Sequence, residues 1–93
     1  MIMIRWKDNA TPVDVRAARD LWIGLSQKVN GFDNFSWLVN THAGNSYYQH
    51  VAILDFTSAQ ARDEYEQHED HIRLMELGNN VVEAVSEVDY VVK

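Results

Sequence analysis

The ten residues from Tyr47 to Phe56 constrain this chain more than any other stretch, because they read as one strand with two apolar faces. One face carries Tyr48, His50, Ala52, Leu54 and Phe56, and the other Tyr47, Gln49, Val51, Ile53 and Asp55. A sheet with one wet face alternates apolar with polar residues. Ala52 and Leu54 against Val51 and Ile53 break that alternation, so both faces need cover. What the rest of the chain can supply decides the architecture.

Around this strand the hydrophobic period switches repeatedly. Met1 to Trp6 reads as a short strand. Thr11-Pro12-Val13-Asp14 then places an N-cap, a proline at the first helical position and an acid in the first turn. Val15, Ala18, Leu21, Trp22, Leu25 and Val29 share one helical stripe, and Gly31 is placed to cap its end. Phe35, Trp37 and Val39 alternate with Ser36 and Leu38 as a second strand, and Thr41 to Ser46 form a polar loop around Gly44. After Phe56, Thr57 and Gln60 match a capping box that opens a second helical region. It runs to about Leu77, where Gly78-Asn79-Asn80 gives a stop signal. Val82 to Val92 supplies the last strand, Val88, Tyr90 and Val92 alternating against Glu87, Asp89 and Val91. The order β-α-β-β-α-β predicts an α+β, ferredoxin-like fold: a four-stranded antiparallel sheet with both helices on one face. No element remains to cover the other face. A second copy packing sheet to sheet is the economical solution, so a homodimer is expected.

Size points the same way. Ninety-three residues make one domain, 1–93, and a chain this short buries only roughly 60–65% of its unfolded surface. Disulfides, metals or a partner subunit usually support such a chain. With no cysteine, disulfides and thiolate metal sites are excluded. A net charge of −6 argues against nucleic acid, whose phosphates demand a basic surface. Met1 to Lys7 is apolar but interrupted by Arg5 and too short for a signal or membrane segment, so a cytoplasmic protein is expected. Ten of the fourteen acids lie from Asp55 onward; the run Asp63, Glu64, Glu66, Glu69 and Asp70 reads as a solvated helix face. Asp89 is expected to pair with Arg5 or Lys7 on a neighbouring strand.

Three segments together carry a family resemblance: Tyr48-Gln49-His50-Val51 through Phe56, Tyr65-Glu66-Gln67-His68-Glu69-Asp70-His71, and Val88-Asp89-Tyr90. They resemble the stress-responsive A/B barrel (Dabb) family, with its aromatic-x-His strand ending in Phe, its Tyr-x-x-His-Pro-x-His segment and its closing Asp-Tyr. The resemblance covers nearly the whole chain and implies a dimeric α+β barrel, two ferredoxin-like units joined through their sheets. The family is functionally mixed. It holds plant stress-induced proteins and polyketide cyclases of the olivetolic acid type, which close a poly-β-ketone thioester by intramolecular aldol condensation. By that likeness Tyr65 and His71 are the candidate catalytic residues, and His50 matches a strand histidine near the same pocket.

An aldol closure needs a base for an activated methylene, a role for which the imidazole of His71 suits, and a donor for the developing oxyanion, the Tyr65 hydroxyl. Two departures bear on this. The first strand lacks the family's histidine, and Glu69 stands where the family has proline. Without proline the helix is expected to continue, with Tyr65, His68 and His71 at successive i,i+3 steps. Tyr65 and His71 would then be about 120° apart and could flank a cavity mouth without meeting.

His68 and His71 also form an i,i+3 pair of the kind seen at metal sites, with Glu69 or Asp70 in reach, but His-x-x-His arises often by chance and no metal or cofactor is expected. His50 and His68 are instead placed with the ligand-lining candidates Trp22, Leu25, Phe35 and Trp37, which would frame a slot between helix and sheet for a small apolar or aromatic ligand. The bland alternative is that these rings are core. Cavity volume separates the two: an interior filled by Trp22, Phe35 and Trp37 admits nothing, whereas about 300 Å³ or more admits a metabolite. There is no nucleotide loop and no nucleophile elbow. A non-catalytic binding protein and a cofactor-free monooxygenase of the same fold are the rival readings.

Overall fold

The structure, a computed structural model, describes residues 1–42 and 47–91. Its elements run β1 (Ile2–Trp6), α1 (Pro12–Lys28), β2 (Phe32–Val39), β3 (His50–Phe56), α2 (Ala59–Gln67), α3 (Glu69–Val81) and β4 (Val82–Glu87). The four strands form one sheet in the order β2-β3-β1-β4, every neighbouring pair antiparallel. This is the ferredoxin-like arrangement with its second helix divided in two. Part of the polar loop, residues 43–46, and Val92 lie outside the described residues.

The register assigns every side chain to a face, because directly paired residues point the same way. Ile2 pairs with Ala52 and Glu87, Ile4 with His50 and Val85, Trp37 with Ala52, and Phe35 with Leu54. These residues face the helices, and the core forms there around Ile4, Leu25 and Ala52, which are 2%, 0% and 0% exposed. On the opposite face Met3, Val51 and Leu38 lie side by side, next to Ile53 and Ser36. Both apolar faces of β3 anticipated from sequence are therefore present, and the helices cover only one.

Helix α1 begins as its sequence prescribes. The Thr11 N–H donates to Asp14 Oδ2 at 3.0 Å and the Asp14 N–H to Thr11 Oγ1 at 3.2 Å, with Pro12 at the first helical position. The helix ends at Lys28 with Val29 as its cap, so Gly31 does not cap it. Gly31 instead adopts φ +92° in the turn into β2, where a Cβ would sit 2.7 Å from Ala61 Cβ and from Thr57 Oγ1. Only glycine combines that backbone with so close an approach. The cap of α2 falls at Ser58, one residue after the expected Thr57, with the Ala61 N–H donating to Ser58 Oγ at 3.1 Å.

The largest departure from expectation lies at His68. The second helical region breaks there without a proline. His68 is extended, at φ −67° and ψ 145°, and its Nδ1 accepts the Asp70 N–H at 3.0 Å, so its side chain caps α3 as Asp or Asn would. Asp70 leaves the solvated face it was assigned. It is buried, accepting from Lys28 of α1 at 2.6 Å and from Arg73 at 3.1 Å. At its far end α3 runs through Gly78-Asn79-Asn80 and stops only at Val81, because the Val82 N–H still finds Gly78 O. Helical continuation there keeps Val81 buried in the core. Asp89 pairs with Arg62 at 2.6 Å, while Arg5 pairs with Glu83 at 2.6 Å.

Candidate functional site

Between α2, α3 and the β1–β4 half of the sheet lies a cleft of about 1230 Å³. Ile2 and Ile4 of β1, Leu54 and Phe56 of β3 and Val85 of β4 give it an apolar floor, and Leu74, Met75 and Leu77 of α3 form a wall. It exists because β4 extends beyond the helical layer. Val85 shares its face with the buried Ile4 yet is 54% exposed, and Met75 opposite is 48% exposed. Tyr65 and His71 both line this cleft.

The break at His68 brings that pair together. Their ring centroids are 4.7 Å apart at 60°, an edge-on contact that an unbroken helix would not allow. The expected 120° separation is therefore wrong for this chain, and the reason is local: with His68 extended, α3 starts on a new axis and His71 turns back toward Tyr65. Tyr65 is 6% exposed, wedged against Phe32 and Phe56, and its hydroxyl oxygen accepts the Trp22 indole N–H at 2.9 Å. Burial, with the nearby carboxylates of Glu87 and Glu66, pushes its phenol up to about 12 against the opposing effect of the Trp22 hydrogen bond. The hydroxyl thus stays protonated at neutral pH. With a lone pair already held by Trp22, its own O–H is free to donate.

The remaining anticipated residues divide. Leu25 is fully buried, and Trp22, Phe35 and Trp37 pack on one another at 5.7 to 6.3 Å. These rings fill the slot between helix and sheet and pack on the core; Trp22 also reaches the cleft, and Trp37 borders a second hollow. His68 is spent on capping. His50 lies apart from Tyr65 and His71, bordering a second hollow at the other end of the sheet. Among the described residues no group of three His, Asp or Glu side chains is arranged to hold a metal ion. Sequence reasoning missed Asp70 and Lys28, whose pairing spans 42 positions, and Glu87, whose carboxylate enters the cleft from the helix-facing side of β4.

Fold and cleft together define the class: a small ferredoxin-like α+β domain with a side-opening apolar cleft. The chain belongs to the stress responsive A/B barrel domain family, whose model matches residues 1–92. No curated protein was found to match it in sequence. Solved structures are similar in fold. A protein from Arabidopsis thaliana superposes with a TM-score of 0.84 at 20% identity, covering 99% of this chain and 91% of that one. A Dabb family protein with a ferredoxin-like fold from Mesorhizobium loti gives 0.78 at 18% identity, covering 99% and 92%. A protein of unknown function from Thermobifida fusca, described as dimeric and ferredoxin-like, gives 0.82 at 16%, covering 98% and 86%. Among the described residues no helix is long and apolar enough to cross a membrane.

Proposed function

We propose that two copies pair through the open sheet face, and that each cleft binds a small aromatic or polyketide-like metabolite and closes it by an intramolecular aldol reaction. The observation that carries this reading is the Tyr65–His71 contact at 4.7 Å inside a cleft far larger than a metabolite needs. Pairing is supported by Met3, Val51, Ile53 and Leu38, an apolar face that a second sheet would bury, and by the dimeric description of the Thermobifida fusca neighbour.

In the proposed reaction His71 takes a proton from a methylene flanked by two carbonyls. The resulting carbanion attacks a ketone carbon further along the same molecule, forming the new carbon–carbon bond. The ketone oxygen becomes an alkoxide, stabilised by the Tyr65 O–H, and receives the proton back from the His71 imidazolium.

Turnover of a cyclisable poly-β-ketone thioester, with binding of its cyclic product measured in parallel, tests the reading. His71→Ala is expected to lower turnover by about 10²–10⁴-fold, the usual contribution of a positioned general base, with product binding retained. Tyr65→Phe is expected to lower it less. Unchanged turnover in both variants would remove the catalytic roles, and a wild-type protein that binds but never turns over would make the cleft a binding site only.

A further inference from the structure

The second hollow, of about 580 Å³, lies where β1 and β3 meet α1 and is lined by Trp6, Trp37, His50, Gln49, Arg16 and Arg19 among others. Its polar groups are unusual in what they leave unused. The Trp6 indole N–H donates to His50 Nδ1 at 2.9 Å, and the Trp6 backbone N–H donates to Gln49 Oε1 at 2.8 Å. One tryptophan therefore occupies the acceptor atom of both side chains. With Nδ1 accepting, a neutral His50 must carry its proton on Nε2, and the amide N–H groups of Gln49 remain to donate. Burial holds the His50 imidazolium form down, which keeps that neutral tautomer. Of the cations in the lining, Arg19 is paired with Asp20 at 3.2 Å and the Lys7 ammonium donates to Asn79 O at 3.4 Å, which leaves the Arg16 guanidinium for a ligand; Asp8 is the one carboxylate of the lining. His50 Nε2–H, the Gln49 amide N–H groups and the Arg16 guanidinium are the donors that these contacts leave for a ligand. Trp37, stacked on His50 at 4.9 Å and 21°, adds aromatic surface to the lining, with Val15 and Pro12 beside it.

We infer that this hollow is a second binding site, for a small planar organic anion of the aryl carboxylate class. The carboxylate would accept from His50 Nε2–H, the Gln49 amide and Arg16, and the ring would lie against Trp37 and the apolar end of α1. The site shares no lining residue with the cleft except Trp6, so it stands or falls independently of the aldol reading.

Titration of the ¹⁵N-labelled protein with benzoate tests it, with benzyl alcohol as the uncharged counterpart and inorganic phosphate as the anion without a ring. Benzoate is expected to shift the indole N–H signals of Trp6 and Trp37 saturably, with an affinity that falls as salt rises, while benzyl alcohol and phosphate bind at least about tenfold more weakly. Arg16→Gln, a change at an exposed helix position, is expected to weaken benzoate by about tenfold while leaving the spectrum of the fold intact. Equal binding of benzoate and benzyl alcohol would overturn the inference. So would shifts confined to Tyr65 and His71, or an Arg16→Gln protein that binds benzoate as well as the parent.

Discussion

Two regions on the same side of the sheet are built from the same kinds of residue and come out differently. Beneath α1, the rings of Trp22, Phe35 and Trp37 pack against one another at 5.7 to 6.3 Å, and Leu25 is fully buried. Beneath α2 and α3, Tyr65, His71, Leu74 and Met75 border a cleft of about 1230 Å³. The difference is one of backbone. Helix α1 runs unbroken for 17 residues, whereas its counterpart divides at His68, and on β4 Val85 is left 54% exposed. Aromatic content alone thus does not separate core from cleft. What separates them is whether the helix above stays straight.

Substitutions can break this contrast, and the largest effect belongs to the filled side. Leu25→Ala removes a fully buried side chain from the core and is expected to cost about 2–5 kcal/mol in denaturant unfolding. The break itself comes next. His68→Ala removes the cap of α3 and is expected to cost about 0.5–2 kcal/mol and to weaken the ring contact between Tyr65 and His71. His68→Asn should restore both, since a short side-chain acceptor suits that position; stability and the nuclear Overhauser effect between the two rings are the readouts.

The Lys28–Asp70 pair that anchors α3 to α1 gives a pH signature. The Lys28 hydrogen bond holds the Asp70 carboxyl below its ordinary value of 3.8, with Arg73 and His68 adding to the effect against some desolvation. A depressed folded value means that stability is present above the unfolded value and is lost as pH falls through the folded one. Asp70→Asn is therefore expected to be less stable than the parent at pH 7, and the gap should close below about pH 4. A gap that stayed constant down to pH 2 would show that the pair contributes nothing. The smallest effect is expected on the open side: Met75→Ala, at 48% exposure on the cleft wall, should change stability by less than about 0.5 kcal/mol.

Element order, the start of α1 and the two apolar faces of β3 were legible in the sequence because each rests on local signals, a cap or a period of two. The break at His68 was not. Histidine is not among the usual capping residues, and the contact that fixes Asp70 comes from Lys28 on another helix. The same kind of tertiary override carries α3 through Gly78-Asn79-Asn80, where burial of Val81 outweighs three poor helix formers. Of the candidate site, Tyr65 and His71 were identifiable by resemblance, yet their meeting depends on that break. His50 was drawn toward the same pocket by its motif, and the sheet register sends it to the other end, opposite Ile4 and Val39. Glu87 carried no signal, since an acid alternating against Val88 and Tyr90 in a strand expected to run from Val82 to Val92 reads as solvated; the strand in fact ends at Glu87.

One titration tests the contrast between the two regions most directly: ring and methyl signals followed by NMR as benzoylacetone, an aromatic β-diketone, is added to the protein. The account predicts saturable shifts at Tyr65, His71 and Met75, with Leu25 and Phe35 unmoved. Shifts at Leu25 and Phe35, or a cleft whose signals do not respond, would contradict it.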